Sequence, residues 1–250
     1  MVLSLELVSP PSPTADPATW AILSRLTRIT HLSIVDMCWA YCYAEDRALL
    51  RSAFAQVTHL TLGLCRWRHV EDFLSFLSAF PNVATLILED PTTLSEEQMD
   101  LAVFPRQIVG AIPGAALCKL EFAWTRSSFL SQSASLLADP NLRELVGLWL
   151  SHLSSIVPNG LDVQWTSFTG WLGFPEYIRA MGPVLTDLKI MMVFHDSVPP
   201  DFGMTACTSL RSIAFDGVCY QDDIWLASSA EYSWVPRMLA QVRSPRIDAV

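Results

Sequence analysis

Residues 57–67 read Val57-Thr58-His59-Leu60-Thr61-Leu62-Gly63-Leu64-Cys65-Arg66-Trp67, and residues 29–39 read Ile29-Thr30-His31-Leu32-Ser33-Ile34-Val35-Asp36-Met37-Cys38-Trp39. Both stretches hold a Thr-His-Leu core with a tryptophan seven residues after the leucine. Around that core apolar and polar side chains alternate, which is the period of a half-buried strand. Two copies of one strand pattern point to a repeated structural unit, so the chain is read for further copies before anything else.

The skeleton apolar-x-x-apolar-x-apolar returns at Val83-x-x-Leu86-x-Leu88, Leu117-x-x-Leu120-x-Phe122, Leu185-x-x-Leu188-x-Ile190 and Leu210-x-x-Ile213-x-Phe215. A degenerate copy stands at Leu142-x-x-Leu145, and a last one begins at Ile247. The central positions 32, 60, 86, 120, 145, 188, 213 and 247 lie 28, 26, 34, 25, 43, 25 and 34 residues apart. Most of these steps fall in or near the interval of about 20–29 residues of leucine-rich repeats. The step of 43 predicts an insertion, and Pro158 to Gly173, rich in Gly and Trp, is its place.

Helical signals separate the strands. Val70, Phe73, Leu74, Leu77 and Phe80 recur at helical spacing, and Leu49, Leu50, Ala53 and Phe54 do so over a shorter segment. Ser95-x-x-Gln98 matches a capping box, and Pro81, Pro140 and Pro183 fall where a helix must end before a strand. The expected fold is therefore α/β, an irregular leucine-rich-repeat-like solenoid. Its parallel strands would line the concave face and its helices the convex face. Residues 1–17 form an N-terminal strand (Leu3, Leu5, Leu7) and a proline-rich segment; residues 18–250 form one repeat domain with an insertion near 158–173.

The joins Phe80-Pro81-Asn82-Val83-Ala84-Thr85-Leu86 and Gly182-Pro183-Val184-Leu185-Thr186-Asp187-Leu188, with Trp234-Val235-Pro236 and Ser244-Pro245-Arg246-Ile247, resemble the repeat region of fungal F-box proteins. The resemblance spans residues 18 to 250 and is general, since each motif mainly encodes repeat geometry. It implies a non-catalytic protein-protein interaction module, similar to the substrate-recognition repeats of F-box subunits of cullin ubiquitin ligases. The implied partner is a protein, with cullin-ligase components added where an F-box is supplied elsewhere. Met1 to Thr19 is too short and proline-rich to be that F-box, so a repeat scaffold with no ubiquitin-ligase link is the alternative.

Composition narrows the classes. Apolar residues make up 51% and charged residues 16%, enough for a large core. A net charge of −9 and only two lysines, Lys119 and Lys189, argue against nucleic-acid binding, which needs clustered cations. No run approaches the roughly 18 apolar residues of a membrane span, and Met1 to Pro10 lacks the basic start of a signal peptide. Six cysteines at irregular spacing fit reduced thiols, so a cytoplasmic or nuclear setting is expected.

Alternation sends His31, His59, Thr85, Lys119, Glu144, Asp187 and Ser212 to the open side of the sheet as one column. Ser33, Thr61, Ile87, Glu121, Val146, Lys189 and Ala214 form the next. Their polar members are the candidate binding surface; the alternative is that they are merely solvated strand positions. His31 and His59 stand on neighbouring strands, but a metal site needs three or four ligands and no third is evident, so no metal or cofactor is expected. Cys65 occupies the Asn/Cys position of the repeat and is read as structural. No nucleophile elbow, phosphate-binding loop or His-Glu-x-x-His motif is present, and the chain is read as no enzyme. Finally, Ser244 to Val250 reads as a strand with no helix to cover it, and Leu3 to Leu7 as one whose preceding helix is missing. This predicts a fragment of a longer array, with apolar ends that self-associate.

Overall fold

A computed structural model of the protein describes residues 3–8, 17–23, 25–37, 50, 52–65, 73, 76–89, 116–123, 160–167, 174–192, 199–216 and 234–247. Eight strands form one open sheet: β1 (Leu3–Val8), β2 (Ile29–Val35), β3 (His59–Gly63), β4 (Thr85–Glu89), β5 (Lys119–Ala123), β6 (Leu161–Ser167), β7 (Leu185–Met192) and β8 (Ser212–Phe215). Every neighbouring pair is parallel, and the spatial order is the chain order. Parallel neighbours cannot be joined by a tight turn, so each connection must carry the chain back along the sheet. Among the described residues three α-helices lie outside the strands: α1 (Pro17–Leu23), α2 (Phe174–Met181) and α3 (Trp234–Leu239). The architecture is α/β.

The repeat skeleton makes the core. Leu32, Leu60, Leu86, Leu120, Val163 and Leu188 are successive register partners, as are Ile34, Leu62, Leu88, Phe122, Trp165 and Ile190. All of them are 4% exposed or less. Burying each such side chain contributes about 1.5–3 kcal/mol, so identical positions in successive units build one continuous apolar layer. From the helical layer Leu50, Ala53, Phe54, Phe73, Phe76 and Leu77 close over it. Helix α2 contributes Phe174, Tyr177, Ile178 and Met181, one face at helical spacing. Its Phe174 meets Trp165 edge-on with ring centroids 5.1 Å apart.

Side chains also tie each unit to the one before. Two residues before the central apolar position, Thr58, Cys118 and Thr186 donate to the carbonyls of Thr30, Ala84 and Leu161, the same position one unit earlier. Four residues before it, Asn82 and Ser209 donate to the carbonyls of Ala55 (2.7 Å) and Pro183 (2.8 Å). These bonds satisfy carbonyls where the chain enters a strand. Cys65 lies 2% exposed and donates to the carbonyls of Ile34 and Gly63, a structural placement. Burial pushes its thiol up to about 12.

One expectation is corrected. The place beside β5 belongs to β6, Leu161–Ser167, which lies within the stretch read as an insertion. The copy expected at Leu142-x-x-Leu145, with Glu144 and Val146, lies outside the described residues. The physical reason is at Gly160, which occupies the first apolar position of this unit. Its φ is +92°, and a Cβ there would stand 2.2 Å from Thr186 Cγ2, so no side chain fits. The register shifts between Leu161 and Asp162, and Leu161, paired with Leu185 and fully buried, takes the missing apolar place. Pro245 and Arg246 form a turn, as Pro81 and Asn82 do ahead of β4, and the strand expected after it falls on residues 248–250, which lie outside the described residues. The capping box at Ser95 and the positions of Leu49, Val70, Leu74 and Pro140 lie outside the described residues.

Candidate functional site: the open face of the sheet

Side chains that alternate with the core positions point to the other face of the sheet. Ser4, His31, His59, Thr85, Lys119, Asp162, Asp187 and Ser212 are successive register partners along one row. Glu6, Ser33, Thr61, Ile87, Glu121, Gln164, Lys189 and Ala214 form the adjacent row. Glu144 and Val146 aside, every residue expected on this face stands in one of the two rows. Asp162 and Gln164 occupy the places assigned to Glu144 and Val146. Ser4 and Glu6 extend the rows by one strand. All four were missed, although the alternation of Leu161-Asp162-Val163-Gln164-Trp165 and of Leu3 to Val8 carries the strand period.

His31 and His59 stack with centroids 4.0 Å apart and planes 10° from parallel. Each ring's Nδ1 is held by the preceding threonine, Thr30 Oγ1 at 3.1 Å and Thr58 Oγ1 at 3.0 Å. A threonine hydroxyl has one proton. When Thr58 gives its proton to the Thr30 carbonyl it accepts from Nδ1–H of His59, which leaves Nε2 unprotonated in the neutral ring. Partial burial holds the His59 pKa below its ordinary value, and the charges of His31 and Lys119 add to that.

The other half of the face is a set of polar contacts within and between strands. Glu121 receives Lys119 Nζ at 3.8 Å and Gln164 Nε2 at 3.2 Å. Ser212 Oγ donates to Asp187 Oδ1 at 2.6 Å, and Lys189 Nζ lies 2.6 Å from Asp216 Oδ2. Burial raises the Asp162 pKa; Lys119 opposes that rise and Asp187 adds to it. The Lys189 ammonium is held in its charged form by its bond to Asp216 and by that carboxylate's charge. Half-exposed pairs of this kind add little stability, so they mainly fix where donors and acceptors stand.

The arrangement can present fixed donors, acceptors and charges over eight strands spaced about 4.8 Å apart. Among the described residues no group of three or more His, Cys, Asp or Glu is placed to hold a metal ion, and no helix is long and apolar enough to cross a membrane. In comparisons with known proteins, the chain matches no family model, no curated protein and no solved structure.

Proposed function

We propose that the chain is a leucine-rich-repeat-like solenoid that binds another protein across the open face of its sheet and carries out no catalysis. One observation carries this reading: eight successive strands set one polar side chain each into a continuous in-register row, beside a second row that is polar except at Ile87 and Ala214. Such rows suit a surface that reads an extended or folded partner residue by residue, as solenoid sheets do. The resemblance to the repeat region of fungal F-box proteins supports a role like that of substrate-recognition repeats in a cullin ubiquitin ligase, in the cytoplasm or nucleus. A repeat scaffold without a ligase link is the second reading, favoured because the resembling motifs mainly encode repeat geometry.

The test compares the native chain with a variant in which His59, Lys119 and Glu121 are all replaced by alanine. Both are used as baits, and captured proteins are quantified by mass spectrometry. Proteins retained by the native chain and lost with the variant are the expected result; cullin-ligase components among the retained set select the first reading over the second. If the two baits capture the same proteins, the face is not the binding surface.

A further inference from the structure

His31 and His59 are register partners on β2 and β3, and their rings lie one on the other with centroids 4.0 Å apart and planes 10° from parallel. Each ring is tethered at Nδ1 by a threonine hydroxyl, Thr30 Oγ1 at 3.1 Å and Thr58 Oγ1 at 3.0 Å. Among the described residues no such bond reaches either Nε2. With Nδ1–H of His59 given to Thr58, a proton added to that ring lands on Nε2. The groups around the pair are few. On β1 the register partner of His31 is Ser4, with Glu6 in the adjacent row opposite Ser33. On β4 the register partner of His59 is Thr85, and Lys119 follows it on β5, 3.8 Å from Glu121. Glu89 lies two rows further along β4, opposite Gly63.

One proton on the pair sets a charged ring against a neutral one. Two protons set like charges face to face at 4.0 Å, and these repel. Lys119 closes the direction past Thr85 to a charged His59. Toward β1, Ser4 is small and exposed, and Glu6 attracts positive charge. His31 is therefore the ring with somewhere to go, by a change of side-chain rotamer. We infer that the stacked pair is a proton-operated switch in the open face, closed with one proton or none and open, with His31 swung toward β1, when both rings are charged. Partial burial and the charges of His31 and Lys119 hold the His59 pKa down, so the open form appears only below pH 6.5. Opening removes the stacked surface between β2 and β3 and turns Nε2 of His59 from an acceptor into a donor. The switch stands on the stack itself. That it governs what the face captures rests on the proposed binding function.

Nuclear magnetic resonance on the free, isotope-labelled chain tests the switch without any partner, so its failure and that of the binding reading are told apart. Above pH 6.5 the two imidazoles should show nuclear Overhauser contacts with one another. As the second ring titrates these contacts should vanish, and His31 should gain contacts to Ser4. The methyl signals of Leu60 and Leu62, buried under β3, should stay unchanged, which shows that the sheet itself holds. In His31→Phe the substituted ring cannot charge, so its contact with His59 should persist through the whole titration of His59. His59→Phe makes the same test from the other side, should the first variant fail to fold. A stack that outlasts the second protonation in the native chain overturns the inference. So does a stack that parts only when the Leu60 and Leu62 signals report loss of the fold, or one that parts equally in a folded phenylalanine variant.

Discussion

His31 and His59 lie one on the other across β2 and β3, ring centroids 4.0 Å apart, each with its Nδ1 against the hydroxyl of its own preceding threonine. Two rings held so close cannot both accept a proton without repulsion. The folded-state pKa of His59 lies below its ordinary 6.5, so between those values the folded chain binds fewer protons than the unfolded chain. Stability should therefore fall as pH is lowered through 6.5 toward the folded value, and recover none of that loss below it. Nuclear magnetic resonance titration of the imidazole signals checks the order of events. His31→Gln should raise the His59 pKa only partway, because burial is the larger cause. Full return to the ordinary value would mean that the stack alone depresses it.

Leu60 is fully buried in the column shared by every unit. Leu60→Ala should destabilise the fold by about 2–5 kcal/mol, because it removes apolar contact and leaves a cavity. Urea denaturation monitored by tryptophan fluorescence measures it. By contrast, His59→Ala, on the neighbouring but outward position, should stay within about 0.5 kcal/mol of the native chain.

Gly160 should resist any substitution. Gly160→Ala sets a Cβ 2.2 Å from Thr186 Cγ2 at a φ of +92°, and a loss of about 1–3 kcal/mol is expected. Thr186→Ala in the same chain should restore only part of it. The backbone strain persists, and the bond from Thr186 Oγ1 to the Leu161 carbonyl is lost. Complete rescue in denaturant titration would show that the clash was the whole effect.

Asp162 offers a test of opposite sign. Burial raises its pKa above the ordinary 3.8, so within that window the folded chain holds more protons than the unfolded chain. Ionisation then lowers stability as pH rises through the window. Asp162→Asn should raise the thermal midpoint at neutral pH, by a gain of no more than about 0.5 kcal/mol. The gain should vanish in acid below pH 3.8, where the carboxyl is neutral in both states. A gain that persists unchanged in acid would trace to the amide's hydrogen bonds instead of the charge.

The repeat was legible where each unit keeps both its first and its central apolar residue. Val57 and Leu60, Val83 and Leu86, and Leu185 and Leu188 announce their strands, and alternation then assigns His59, Thr85 and Asp187 to the open face. Legibility failed at β6, because Gly160 stands where the skeleton calls for an apolar side chain. The skeleton therefore does not mark Val163 and Trp165, although both are fully buried. Leu142-x-x-Leu145 carries the skeleton instead, 25 residues after Leu120 but 43 before Leu188.

Local chemistry thus determined by itself that the chain alternates strand and return, which side chains are apolar enough to face inward, and the polar character of the residues between them. Those properties depend only on side-chain periodicity over a few residues. The tertiary structure alone decided which strand lies beside β5, that Leu161 replaces the residue Gly160 cannot supply, and that His31 meets His59 face to face. Each of these depends on how two segments at least 24 residues apart are set against one another. Periodicity within a segment says which way a side chain points, but only the neighbouring strand's register says what it meets.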